Sequence, residues 1–366
     1  MTKIFVMAHK KFQEPNKSEY IPLQVGRAVN RDLGYLRDDT GENISEQNCY
    51  FGELTGIYWL WKNYKERDNI GVCHYRRFFM NEQKKILSEV EYDEILCEYD
   101  IITSKAMYAD ESYWDYYAQA HNIADLEEEG RVIKELYPED YDVFCRVMSD
   151  SKYYFGNLMV TSYEYFMEYC SWLFPIFFEL QKRIDVSNYD EYHRRIFGFL
   201  SEQLLLVWIT ARGLKVYECS VGIAGEKAET KEFKLAIGQL VKMGQISEAR
   251  QLFYEILSIR PDIALEHSDL EHEISDIEQI LYICELEQQE GMQGMFFVSN
   301  ILSELILHFR NIKKILEQEE WNDEQLMYLQ DKKVTAIAVE VIAENNEKLQ
   351  PYREQVVQKY IKMINS

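Results

Sequence analysis

The sequence predicts an α/β domain with a mixed sheet flanked by helices, followed by an all-α region. Three observations lead to this prediction. Short apolar runs typical of buried strands alternate with helical stretches up to about residue 225. Strand patterns disappear after Glu226. The chain has 366 residues, 47% of them hydrophobic, which is enough for two separate cores. We therefore expect two domains, 1–225 and 226–366.

The first strands and the helix between them are predicted from short apolar segments. Residues 3–8, 70–73 and 100–103 are β-rich and apolar, as interior parallel strands are. Residues 53–64 form a helical stretch that is apolar on almost every side. This helix should therefore be buried against the sheet.

The middle of the chain continues the mixed pattern. Pro175 should kink or break a long aromatic helix, and Gly213 should end the next one. The predicted elements are a strand at 157–161, helices at 163–184 and 197–211, and a strand at 214–219.

One helical segment of the second region has a recognisable pattern. Residues 236–261 contain two amphipathic halves separated at Gly244, with Ala249 at a close-packing position and Pro261 at the end. This pattern is similar to one tetratricopeptide-type hairpin, although such arrays need about three units to be stable. An ordinary helical bundle explains the segment equally well.

Charge and composition exclude several classes of protein. The net charge of −23 argues against nucleic acid as a partner and against broad docking on an anionic membrane. The seven cysteines are scattered and none forms a Cys-x-x-Cys pair, so neither a zinc site nor a disulfide framework is predicted. The N-terminus becomes polar too early for a signal peptide, and no apolar run is long enough for a transmembrane segment. We expect a cytoplasmic protein.

Basic residues directly follow the predicted strand 70–73. His74, Arg76 and Arg77 would lie at the carboxyl end of that strand, where ligands of open α/β sheets collect. Arginine binds phosphate through a rigid fork of donors and stays charged. The pair could bind a diphosphate, or it could be a surface pair that balances some of the acidic residues.

Three further places carry polar residues of interest. Asp38, Asp39 and Asn43 lie in a loop before the buried helix, where they could contact a nucleotide or simply form a turn with a good N-cap. Glu202 lies among apolar residues, and burial would raise its proton affinity as a general base requires. His121, on an aromatic helix, is by itself explained as a packed or surface histidine.

Five blocks together resemble the bacterial family called "domain of unknown function 4422", with similarity over residues 3–225. They are DDTGENIS (38–45), ELTGIYWLWKN (53–63), GVCHYRRFF (71–79), YFGNLM (154–159) and FGFLSE (197–202). Members of the family are associated with capsular and exopolysaccharide assembly and are regarded as glycosyltransferases. The resemblance implies the single nucleotide-binding, Rossmann-like sheet of type A glycosyltransferases. Some members are fused to UDP-galactopyranose mutase, which implies galactose or galactofuranose as the transferred sugar.

The resemblance also implies roles for individual residues. His74, Arg76 and Arg77 become the leading candidates for binding the diphosphate, with His74 also a catalytic candidate. If the reaction inverts the anomeric centre, Glu202 is the candidate base that takes the proton of the acceptor hydroxyl. The remaining assignments are His9, Lys10, Asp38, Asp39 and Asn43 near the donor nucleotide, and Asn157 and His121 near the acceptor.

A metal is the least defined part of the implied site. Many type A enzymes place Asp-x-Asp after a central strand, where it holds Mn²⁺ or Mg²⁺ on the donor diphosphate. The comparable position here reads His74-Tyr75-Arg76-Arg77. We therefore assign no metal ligand and expect cationic side chains to take over part of the metal's role. Asp38 and Asp39 are the only alternative ligands suggested.

The predicted partners follow from this activity. The donor would be a UDP-sugar, and the acceptor a glycan, a lipid-linked glycan or a glycoprotein, with the enzyme in the cytoplasm or at the inner face of the membrane. In a competing hypothesis the helical region binds a protein partner and the α/β domain is a degenerate sugar-nucleotide domain. A glycoside hydrolase would need two facing carboxylates, and no pair stands out in the sequence.

Overall fold

The computed structural model describes residues 1–265 and 268–364. The chain divides into two compact units, the first comprising Met1–Ala224 and the second beginning at Gly225. The predicted boundary lay at residues 225 and 226. Within the described residues, no helix is both long enough and apolar enough to cross a membrane.

The first unit is built on one large sheet, which confirms the predicted mixed α/β class. The strand order is β3-β2-β1-β4-β5-β10-β6-β9, and β9 also pairs with β4. Four pairings are parallel, namely β1 with β2 and β4, β2 with β3, and β6 with β10. The strand β9 runs antiparallel to β4 and β6, and β5 antiparallel to β4 and β10. The strands are β1 (Thr2–Ala8), β2 (Tyr20–Gln24), β3 (Leu36–Arg37), β4 (Asn69–His74), β5 (Arg77–Met80), β6 (Ile101–Ser104), β7 (Met107–Tyr108), β8 (Lys152–Tyr153), β9 (Met159–Thr161) and β10 (Val216–Ile223); β7 and β8 form a separate pair.

Both faces of the sheet are covered. Along β1, Phe5 and Met7 belong to the core formed with the aromatic helices, whereas Ile4 and Val6 belong to a smaller core on the opposite face. This alternation is the period of two that an extended strand imposes. The helices are α1 (Asn48–Phe51), α2 (Leu54–Asn63), α3 (Glu89–Leu96), α4 (Tyr113–Ala120), α5 (Ile123–Leu136), α6 (Tyr141–Ser149), α7 (Tyr163–Arg183) and α8 (Ile196–Arg212).

Two predicted helix features have different outcomes. The helix α8 ends at Gly213, whose φ of 64° is the left-handed conformation of a C-cap glycine. Of the predicted kink or break at Pro175, the break is wrong, because α7 continues past Pro175 for eight residues to Arg183. The turns of α7 around the proline bury Trp172, Phe174 and seven further side chains, and this packing outweighs the lost backbone hydrogen bond.

The second unit is all-α in its described residues, as predicted. The helices α9 and α10 separate at Gly244, which has a φ of 74°, and Ala249 is fully buried between helices. The contacts form a closed ring in which α9 touches α10, α10 touches α11, α11 touches α13, and α13 touches α9. A ring around one core favours the bundle over a stacked repeat array. The helices are α9 (Ala228–Lys242), α10 (Ile246–Ile259), α11 (Glu273–Gln289), α12 (Gly294–Val298), α13 (Leu302–Leu316), α14 (Asp323–Asp331), α15 (Ala336–Glu344) and α16 (Arg353–Ile364).

Candidate active site

Polar side chains gather at one edge of the large sheet, where β1 and β4 end and β9 begins. The parallel register aligns Met7 with His74. The antiparallel register aligns Val72 with Met159. Just beyond this pair, Asn157 Nδ2 and His74 Nε2 approach the same Glu53 Oε1 atom, at 2.8 and 3.8 Å. This edge is the carboxyl end of the parallel strands, where open α/β sheets bind ligands.

Asn157 joins two helices to this edge. Its Nδ2 donates to Glu53 Oε1 at 2.8 Å, just before α2, and to Ser201 Oγ at 2.7 Å in α8. The backbone here has positive φ at both Gly156 (85°) and Asn157 (48°), and asparagine tolerates this conformation better than most residues. The buried Oδ1 atom of Asn157 has no hydrogen-bond partner among the residues that the structure describes. It is therefore a polar atom at the edge that a ligand could satisfy.

His74 is a neutral imidazole in this setting. Its Nε2 atom lies 3.8 Å from Glu53 Oε1 and makes no hydrogen bond to any residue that the structure describes. The pKa of His74 is lowered to about 4, chiefly by burial; Glu53 opposes this shift, whereas the nearby charges of Arg77 and His9 contribute to it. At neutral pH the ring can therefore offer a ligand either a donor or an acceptor.

Arg77 supplies the inward-facing positive charge of the cluster. Its guanidinium lies 4.3 Å from the centre of the Phe155 ring and interacts with the carboxylates of Glu202 and Glu53. Burial lowers its pKa, but an arginine starts so high that it stays charged at any working pH. Arg76 is half-buried beside it. Neither arginine of the predicted pair projects fully into solvent.

Glu202 is the carboxylate with the most strongly shifted proton affinity at this edge. Burial raises its pKa to about 8, and the negative charge of Glu53 contributes in the same direction. Arg77, Arg195 and the backbone N–H of Gly156 oppose the shift. Such a group changes protonation close to neutral pH, as a general base must.

The loop of the predicted donor-binding acids is used differently. Asp38 is fully buried, and its two carboxylate oxygens accept from Gly26 N, Arg27 N, Ser45 Oγ and Thr55 Oγ1 at 2.5–3.0 Å. Donors of the protein itself therefore fill the acceptor sites of the Asp38 carboxylate, contrary to the predicted contact with a nucleotide. Asp39 pairs with Arg37 at 2.9 Å, and the Asn43 side chain bonds within its own loop. No contact joins Asp39 or Asn43 to the cluster, and their binding roles stay predictions.

The other predicted residues divide between two places. His9 follows β1, lies 5.1 Å from the ring of Tyr75 and influences the charge of His74, so it belongs to the edge. Lys10 is the next residue and is half-buried. His121 stacks on Phe199 with ring centres 4.4 Å apart and lines a separate cavity.

Glu53 is the residue that sequence analysis missed. Glu53 is the first residue of the block at 53–63, but it was assigned no role from the sequence, because the apolar residues after it account for a buried helix. Its proximity to Glu202, His74 and Arg77 depends on how α2 and α8 pack, which no local pattern encodes. Its position directly before a buried helix was the one available signal.

The edge does not fit the donor set of a divalent metal. Among residues 1–265 and 268–364, no three or more His, Cys, Asp or Glu side chains are arranged to hold a metal ion. At the position where many type A enzymes carry Asp-x-Asp, β4 turns into β5 through a hairpin that carries Arg76 and Arg77. We derive no chemical step from a metal.

Comparisons with known proteins place the chain in a family. Residues 3–213 match the family described as "Domain of unknown function (DUF4422)", and the chain belongs to it. Its structure is similar to the apo structure of WbbM, a bifunctional glycosyltransferase, with a TM-score of 0.58 and 28% sequence identity. The similarity covers 62% of this chain and 45% of WbbM, so the chain spans less than half of that protein. No curated protein matches the sequence.

Proposed function

We propose that this chain is a glycosyltransferase with a type A-like fold. It would move a sugar, galactose or galactofuranose, from a UDP-sugar to a glycan or glycoconjugate acceptor in bacterial surface polysaccharide synthesis. One observation carries the proposal: Arg77 lies against the Phe155 ring at the carboxyl end of the parallel strands, beside His74, and interacts electrostatically with the carboxylates of Glu53 and Glu202. The similarity to WbbM, which covers 62% of this chain, supports the same reaction class. The site of action would be the cytoplasm, or the inner face of the membrane for a lipid-linked acceptor.

The positive side chains would bind the donor. Arg77 and Arg76 would hold the diphosphate through charge-assisted hydrogen bonds and stabilise the charge that develops on it as UDP leaves. The Phe155 ring restricts the Arg77 guanidinium, so little rotational freedom is lost on binding. The unpartnered Nε2 of His74 would donate to a donor oxygen.

Glu202 would act as the base. The acceptor oxygen attacks the anomeric carbon, the bond from that carbon to the diphosphate oxygen breaks, and the electron pair leaves with UDP. The proton of the acceptor hydroxyl passes to the Glu202 carboxylate. Glu53, fixed by Asn157, lies beside this base and raises its proton affinity.

A thermal-shift experiment tests the proposal. UDP or a UDP-sugar at about 100 times its Kd should raise the melting temperature by roughly 5–10 °C, whereas GDP- and dTDP-sugars should not. Arg77→Ala should abolish both this shift and sugar transfer. Arg67→Ala is the matched control, because Arg67 is 77% exposed and pairs with Glu164 at the surface. Each condition is repeated with and without Mn²⁺. Absence of a shift with every nucleotide sugar would overturn the proposal.

The proximity of Glu53 and Glu202 also supports a second candidate function, glycoside hydrolysis by two carboxylates. The two activities differ in their products. A hydrolase would release sugar from aryl glycosides without a nucleotide, whereas a transferase would release UDP only from a UDP-sugar.

A further inference from the structure

A cavity of about 170 Å³ lies apart from Arg76 and Arg77, here called the arginine cluster. Its wall is formed by the end of α4, the start of α5 and the segment that leads into α8. A buried cavity of about 150 Å³ accommodates one six-membered ring in another protein. The size therefore fits a single ring. Residues in its wall that matter here are Tyr117, His121, Asp125, Asp190, His193 and Phe199.

The wall combines ring faces with hydrogen-bond acceptors. His121 stacks on Phe199 at 4.4 Å, and Tyr192 packs against Phe199 at 5.1 Å. On the polar side, Asp125 accepts from Tyr189 at 2.7 Å. Asp190 accepts from the backbone N–H groups of Tyr192 and His193 at 2.8 Å and contacts the His193 ring at 2.6 Å. A carboxylate has about four lone-pair sites, so Asp125 keeps most of its capacity to accept from further hydroxyls, and Asp190 keeps about one site.

The cavity is connected to the proposed base through α8. Phe199 in its wall and Glu202 at the edge of the sheet are three positions apart, so they lie on the same side of the helix. Arg195, at the start of that helix, lies 5.4 Å from the Phe199 ring and interacts electrostatically with both Glu202 and His121. The cavity and the proposed base therefore share one side of α8, about one helical turn apart.

We infer that this cavity binds one neutral hexose unit of the acceptor, with its ring against the aromatic side and its hydroxyls donating to Asp125 and Asp190. This inference rests on the proposed transferase function, whose acceptor side it defines. The donor is the poorer fit, because a diphosphate would be repelled by the two carboxylates and attracted to Arg76 and Arg77. The same repulsion disfavours uronic acids and other anionic sugars.

Asn188→Trp tests the inference by filling the cavity from its exposed rim, without removing a side chain from the arginine cluster. Ser187→Trp is the matched control, because this exposed neighbour does not line the cavity. Binding of methyl hexosides (gluco, galacto and N-acetylglucosamine forms) is measured by saturation-transfer NMR on the full chain. At least one should bind to the wild type and to Ser187→Trp, and lose at least tenfold in affinity in Asn188→Trp.

Two controls separate this inference from the proposed function. UDP should bind equally to all three proteins, and glucuronic acid should bind to none. Failure of every neutral hexoside to bind the wild type, or equal binding to Asn188→Trp, would overturn the inference. Loss of UDP binding in Asn188→Trp would also overturn it, because the cavity would then belong to the donor. Failure of UDP to bind the wild type would contradict the proposed function instead, while the hexoside result still decides the cavity.

Discussion

The side-chain amide of Asn157 donates a 2.8 Å hydrogen bond to Glu53 Oε1, which ties the loop before β9 to the start of α2. Asn157→Asp keeps a residue that tolerates positive φ but replaces the donor with a third carboxylate near Glu53 and Glu202. The free energy of unfolding should fall by about 1–3 kcal/mol at pH 7. The loss should be smaller at pH 5, where the added carboxylate is partly neutralised. Urea unfolding followed by tryptophan fluorescence measures this, because five of the six tryptophans lie in the first unit. An equal loss at both pH values would contradict the charge explanation.

Gly156 controls the position of Arg77. A Cβ at Gly156 would lie 2.6 Å from Arg77 Nη1, so Gly156→Ala should displace the guanidinium from its place beside Phe155. We expect UDP-sugar affinity to fall at least tenfold, measured by calorimetry. Gly34→Ala is the matched control, since its φ of 74° imposes similar backbone strain but no atom lies within 4 Å of the added methyl. If both variants bind UDP-sugar like the wild type, Arg77 is not the diphosphate ligand.

Asp38 should be essential for stability. Asp38→Asn replaces one acceptor oxygen with an N–H₂ group that faces the donors Gly26 N and Thr55 Oγ1, or Arg27 N and Ser45 Oγ. We expect the free energy of unfolding to fall by about 3 kcal/mol, because a buried charged acceptor with several bonds is lost. Asp39→Asn, which breaks a surface pair with Arg37, should change it little.

The same two variants test the loop's predicted role in donor binding. UDP affinity measured at a temperature where Asp38→Asn remains folded should match the wild type. A large loss of UDP affinity in Asp39→Asn would instead return this loop to the donor site.

Local sequence patterns predicted much of the sheet but not its connections. The apolar runs that became β1, β4 and β6 are short and bounded by polar residues, so their identity needs no tertiary information. The strand β9 starts two residues later than predicted, because Gly156 and Asn157 take positive φ. Arg77 was expected after a strand, yet it begins β5, since a tight hairpin at Tyr75 and Arg76 reverses the chain.

In the candidate site, too, local sequence identifies some residues, whereas others are identified only by how the helices pack. His74, Arg77 and Glu202 could be named from residue type and from their position beside predicted strands and helices. Glu53 could not, since its role depends on where α2 packs. For Asp38 the sequence predicted a ligand contact that the structure does not have. This loop aspartate was expected to face a ligand, whereas it accepts hydrogen bonds from donors of the protein such as Gly26 N and Ser45 Oγ.

Glu202 predicts how transfer should depend on pH. Its pKa is raised from 4.5 to about 8 by burial and by Glu53, so the ionised form that accepts a proton increases up to that pH. The value of kcat/KM should rise about tenfold per pH unit below pH 8 and level off above it. Glu202→Gln should lower the rate by about 10²–10⁴-fold and remove this limb of the profile, whereas Glu164→Gln at the exposed start of α7 should alter neither. The free energy of unfolding should change in the opposite direction to the rate as the pH rises. Between pH 4.5 and about 8, Glu202 is ionised in the unfolded chain but still protonated in the folded chain. The wild type should therefore lose stability relative to Glu202→Gln as the pH rises through this range. A pH profile that Glu202→Gln leaves unchanged would assign the proton transfer to another group.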